Sequence, residues 1–192
     1  MRLVLASTSP QRRAILHQLA IPFEVVAPRY DEKAALGSDA VELVRAHASG
    51  KARSVHAGEG VTLGVDTAVQ LDGEIYGKPS DTADAARMLQ SLSGRTHAVV
   101  SGLCVIAGAL EIVDHAATAV RFAPLDERFL SDYLASGEWE SRAGAYAIQG
   151  LGSRFVERID GDYLNVVGLP GAMLLRILSR HAPRLLVLDP NS

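Results

Sequence analysis

The chain has little of what most readily betrays a function. It holds a single cysteine, Cys104, within the apolar run GLCVIAG. One thiol excludes an intramolecular disulfide and a cysteine-rich zinc site, and in that setting it reads as a small buried hydrophobe. Neither sign of charge is in large excess. The net charge is −3 and the sequence pI about 6.1, which argues against bulk electrostatic binding of nucleic acid. No uninterrupted apolar stretch is long enough to cross a bilayer, and the first residues form a strand pattern rather than a secretory signal, so the expected location is the cytoplasm. GxxxxGK[ST], HExxH and GxSxG are all missing, and the six histidines are scattered with no pair at metal-ligand spacing. There is no internal repeat, linker or low-complexity tract.

What is there suits an ordinary globular chain. At 192 residues and 48% apolar content, one domain or two small lobes sharing a core are expected. Leu3–Ala6 reads as a buried strand, Ser9 as an N-cap and Pro10 as the first residue of a helix reaching about Leu19. Phe23–Ala27 is a second strand, and a second helix is predicted from Asp39 to about His56, with Val41, Val44 and Ala48 as its stripe. Val61–Leu71 reads as a central strand, turned by Asp72-Gly73 into a short return over Glu74–Gly77. A third helix capped by Ser80 or Asp81 ends at Gly94. Thr96–Ala107 and Glu111–Phe122 form a strand pair around Gly108, and Leu125–Ser136 a fourth helix closed by Gly137. Phe155–Ile159 and Tyr163–Val167, flanking Asp160-Gly161, predict a second hairpin before a last helix from Pro170. Helices mixed with hairpins imply a mixed sheet.

The opening segment LVLASTSPQRR leads from a strand into a helix N-terminus with free amides, hydroxyls, Arg12 and Arg13. Amides, dipole and guanidinium all favour an anion such as phosphate. Asp66 interrupts an apolar strand, and a buried carboxylate requires a cation, a donor or a metal as partner. The pattern alone suits a functional and a structural role equally. Lys78, in YGKPSD, Lys51, on a helix with an exposed polar face, and Asp31-Glu32, in a loop, each read singly as solvated charges. The glycine-rich AGAYAIQGLG carries one side-chain amide, Gln149, able to read a base edge. His97 begins a strand and reads as a structural partner, and GDYLNVVGLP as support for the fold.

Taken together, LASTSPQRR, GVDTAV, GKP, AARMLQSLSGRTH, AGAYAIQG and IDGDYLNVVGLP, in this order from Leu3 to about Leu178, resemble the Maf-like nucleotide pyrophosphatases. The resemblance implies an α/β fold, Maf/ITPase-like, with an elongated mixed β-sheet flanked by helices and two lobes around a central cleft, as one domain over 1–192. It implies hydrolysis of a nucleoside triphosphate to the monophosphate and pyrophosphate, a divalent cation (Mg²⁺ or Mn²⁺), a homodimer, and no nucleic-acid or membrane partner. By position, Asp66 corresponds to the proton acceptor. Ser7, Arg12, Lys51 and Lys78 correspond to the phosphate-holding set, and Glu32 with Asp66 to the metal ligands. Thr67 and Gln149 match the branch acting on dTTP and UTP. Gln11 matches neither that branch, which usually has arginine there, nor the 7-methyl-GTP branch, which usually has an aromatic. The alternatives are a 7-methyl-GTP pyrophosphatase and a nucleotide-binding regulator of septum formation and cell division.

Overall fold

In the computed structural model of the chain, residues 2–32 and 39–187 are described. The strands are β1 (Leu3–Ala6), β2 (Phe23–Val25), β3 (Val61–Leu71), β4 (Glu74–Tyr76), β5 (Thr96–Ala107), β6 (Leu110–Phe122) and β7 (Val156–Asp160). The helices are α1 (Pro10–Gln18), α2 (Ala40–Val55), α3 (Thr82–Leu92), α4 (Glu127–Ser136), α5 (Tyr163–Val167) and α6 (Gly171–His181). All seven strands form one mixed sheet in the order β2-β1-β3-β5-β6-β7, with β4 also on β3. β1 runs parallel to both β2 and β3, and the remaining pairs are antiparallel. Among the described residues no helix is long and apolar enough to cross a membrane.

Local chemistry sets most element ends. The Ser9 hydroxyl faces the Arg12 amide, and Asp39, Asp81 and Asp126 accept from Val41, Asp84 and Phe129 amides as N-caps. Asp72 and Gly73 both take positive φ, the conformation that a two-residue β3–β4 turn requires. The second expected hairpin does not form. Tyr163–Val167 is the short helix α5, because Asp162 caps it by accepting from the Leu164 amide at 2.8 Å and Gly168 closes it. An apolar five-residue run fits a strand or a helical turn equally, and here the cap decides.

The long strands β3 and β5 pass through two cores. Val61, Leu63, Val65, Leu103 and Val105 pack with β1, α1 and α6. Further along, Val69, Leu71 and Val99 pack with α3, α4 and an aromatic group including Phe122, Tyr133, Tyr146 and Phe155. On the other face α2 lies against the sheet through Val44, Ala48 and Ala52. It lies very close. A Cβ on Gly64 would sit 2.0 Å from the Ala48 carbonyl oxygen, and one on Gly102 would sit 2.1 Å from that of Val44. These two glycines let the α2 backbone approach β3 and β5 directly.

Candidate active site

β3 changes neighbours partway along. β1 pairs with it as far as Ala6↔Gly64, and β4 takes up the same strand only from Val69↔Tyr76. Residues 65–68 therefore have no partner on that edge among the described residues, and the cleft opens at this notch. Its volume is about 590 Å³, and it takes in the end of β1, the start of α1, Asp66, Thr67, Lys78 and the segment Glu140–Ala143. The notch lies between the two cores.

On one side of the notch, α2 grips Asp66. Lys51 Nζ lies 2.6 Å from Asp66 Oδ1 and His47 Nδ1 lies 3.2 Å from Oδ2. His47 and Lys51 stand four residues apart on α2 and so project from one face. Lys51 Nζ also reaches Glu32 Oε1 at 2.7 Å. Lys51 is thus buried between two carboxylates, a correction to its reading as a solvated helix charge. Its Nζ reaches that position because Gly64 and Gly102 bring α2 down onto the sheet.

The electrostatics follow from this packing. Burial pushes the Asp66 carboxyl up, but the His47 hydrogen bond and the Lys51 and Arg12 charges outweigh it, and the pKa falls below the usual carboxylate value. Burial likewise raises Glu32, and the Lys51 bond and charge bring it below normal. The bond to Asp66 raises the pKa of His47 against the opposing effect of burial. Both carboxylates are ionised at neutral pH.

The opening segment forms the second side. Arg12 donates Nε to the Gly168 carbonyl at 2.9 Å, Nη1 to Ser7 Oγ at 3.1 Å and Nη2 to Thr67 Oγ1 at 3.3 Å. Thr67 is itself 2.9 Å from Ser101 Oγ. Ser7, buried, also accepts from the Ser9 amide at 3.2 Å. The guanidinium is therefore fixed by three separate elements, including the C-terminal end of α5, so GDYLNVVGLP does more than support the fold. Arg13 is exposed and lies outside the cleft lining.

Lys78 stands exposed on the far wall. The Gly144 amide, donating to the Gly77 carbonyl at 3.0 Å, ties that wall to the glycine-rich segment. Gln149 does not line the main cleft. It lies in an adjoining pocket of about 270 Å³, shared with Gln11, Glu138 and Arg142. Gln11 and Arg142 border both spaces. Gln11 Oε1 accepts from the Ser9 hydroxyl at 3.0 Å, which places the side chain at the mouth of the helix. Glu138 receives the amides of Leu151 and Gly152 and so holds the loop that carries Gln149.

Glu32, His47 and Asp66 each offer one ligand atom, all within 4.8 Å of one another, a grouping able to hold a metal ion. Two carboxylates already converging on one ammonium, Lys51, fit a hard cation. Sequence reading missed His47, because scattered histidines were judged by His–His spacing. The available signal was its place one helical turn before Lys51. Arg142 was missed too. Its Nε is buried with no hydrogen-bond partner among the described residues, and nothing in its local sequence marks it.

Fold and site together define an α/β protein with a cleft in which Arg12 and Lys51 flank a mostly buried carboxylate. The chain belongs to the Maf-like protein family, whose model matches residues 2–181. It is similar to a dTTP/UTP pyrophosphatase of Symbiobacterium thermophilum, 45% identical over 181 residues and 93% of each chain. Another, from Anaeromyxobacter sp., is 48% identical over 184 residues, covering 93% of this chain and 89% of that one. A third, from Thermococcus gammatolerans, is 45% identical over 178 residues, covering 91% and 94%. Among solved structures, a HAM1 protein from Coxiella burnetii aligns with a TM-score of 0.45 and 17% identity over 65% of this chain and 74% of that one.

Proposed function

We propose that this chain is a nucleoside triphosphate pyrophosphatase that hydrolyses dTTP and UTP at the α–β phosphoanhydride bond, releasing the monophosphate and pyrophosphate. The observation that carries the reading is the ionised, mostly buried Asp66 at the notch in β3, with Arg12 and Lys51 at either hand. Relatives named for this activity, at similar length, support it.

In this reading Asp66 orients a water against a phosphorus of the α–β bridge and accepts its proton. Arg12, already aimed by Ser7, Thr67 and Gly168, takes phosphate oxygens without reorganising and offsets the charge that grows on the departing pyrophosphate. Lys51 turns from Glu32 and Asp66 to the triphosphate, and Lys78 closes on it from the far wall. Glu32 and Asp66 would hold Mg²⁺ or Mn²⁺, which supplies Lewis-acid polarisation of phosphoryl oxygens when bound. Gln149 and Gln11 select the base from the adjoining pocket, while Thr67 acts on substrate choice through Arg12, to which its hydroxyl is bonded. On the same reading residues 1–192 are one domain, working on free nucleotides in the cytoplasm as a homodimer.

The test is a panel of nucleotides with Mg²⁺, in which dTTP and UTP are expected to yield monophosphate and pyrophosphate in equal amounts. Rapid turnover of 7-methyl-GTP beside slow turnover of every pyrimidine overturns the substrate. Full turnover by Asp66→Asn overturns the role of Asp66.

A further inference from the structure

Asp66 is held through both oxygens from a single helix, and the two holds are not equivalent. Lys51 is a flexible chain whose Nζ is shared with Glu32 at 2.7 Å, so it has somewhere else to go. His47 has not. It is 7% exposed, and its ring meets Tyr30 edge-on with centroids 5.8 Å apart. Tyr30 is itself seated over Gly50, where a Cβ would fall 2.2 Å from the tyrosine ring. Beneath, Gly64 lets α2 lie on β3 at Ala48, the residue after His47. The imidazole is therefore packed between a tyrosine and the strand that bears Asp66. Its Nε2 is buried without a hydrogen-bond partner among the described residues, so Nδ1 makes the only hydrogen bond that the described surroundings offer the ring.

We propose that His47 is a positioning residue that fixes the plane of the Asp66 carboxylate through Nδ1–H to Oδ2, so that Oδ1 stays aimed at the attacking water when Lys51 leaves it for the triphosphate. This rests on the reading of Asp66 as proton acceptor. A carboxylate on a strand rotates readily about its Cβ–Cγ bond, a torsion with broad wells. With Lys51 withdrawn, only a rigid donor on the other oxygen keeps that rotation in check. His47 touches no reacting atom in this role.

The inference makes a geometric demand that a merely space-filling histidine would not. The amide nitrogen of asparagine falls near the place of Nδ1, whereas that of glutamine falls near Nε2. In His47→Leu, kcat for dTTP is expected to fall by about 10- to 100-fold, the range for losing a residue that orients a reacting group, with KM within about threefold. His47→Asn should recover kcat to within about fivefold of the parent, and His47→Gln should stay near the leucine variant. Asparagine and glutamine are both polar and smaller than the cavity, so thermal melts of the two are expected to agree, and the difference in kcat reads the donor position rather than folding. Unchanged kcat in His47→Leu overturns the inference, as does equal kcat in the asparagine and glutamine variants. Asp66→Asn measured beside them keeps the two readings apart. Loss of turnover there with full turnover in His47→Leu sinks only the role of His47, whereas full turnover in Asp66→Asn sinks the base assignment itself.

Discussion

Two histidines are buried to similar depth, His47 at 7% exposure and His97 at 2%, and they are pushed in opposite directions. His97 lies in the aromatic core, with Phe122 at a 4.8 Å centroid distance and the Tyr146 hydroxyl at 3.0 Å from Nε2. Burial alone acts on it and lowers its pKa to about 4. His47 suffers the same penalty, but the Asp66 carboxylate at 3.2 Å more than reverses it. Low dielectric disfavours a lone charge and strengthens a paired one. The cleft wall around Asp66 therefore holds its charges in pairs, while His97 stays neutral in the aromatic core at neutral pH.

The comparison is broken most severely at Asp66. Asp66→Asn keeps the shape and removes the anion, and kcat is expected to drop about 10³-fold, the scale of a general base, with the fold retained by circular dichroism. Next is Gly64→Ala, which drives a methyl into the Ala48 carbonyl and lifts α2 off β3. A cost of about 3 kcal/mol is expected in urea unfolding, with activity falling further than stability because His47 and Lys51 lose their reach to Asp66.

His97 sharpens the contrast through pH. Its folded pKa lies below its unfolded one, so between about 6.5 and 4 the unfolded chain binds the extra proton. Its contribution is therefore complete above pH 6.5 and lost as pH falls toward 4, at most ~3 kcal/mol. The urea midpoint of His97→Gln should flatten over that window relative to the parent, and an unchanged slope would refute the assignment. Smallest is Tyr146→Phe, which leaves His97 Nε2 unpaired in the core and should cost about 1.5 kcal/mol by the same measurement.

Much of the fold was legible. The bounds of β1, β3 and β5, the Ser9 cap and the Asp72-Gly73 turn all stand where the patterns put them. Each depends on side chains within a turn or two of each other. The failure at Tyr163–Val167 has the same scale, since five apolar-rich residues do not separate a period of 2 from one of 3.6. For the candidate site, the resemblance named residue types but not their arrangement. Taken singly Lys51 read as a solvated charge, only the resemblance put it with the phosphate-holding set, and His47 was not singled out.

By itself, then, the sequence determined the elements and the polar residues that interrupt them, because caps, turns and hydrophobic periods act locally. Only the tertiary structure decided which charges meet. Asp66 comes under His47 and Lys51 because Gly64 and Gly102 admit α2 to the sheet, and Arg12 is aimed by a carbonyl 156 residues away. A charge has no pKa of its own in a folded chain. Its neighbours set it, and they are supplied by packing between segments that are distant along the chain.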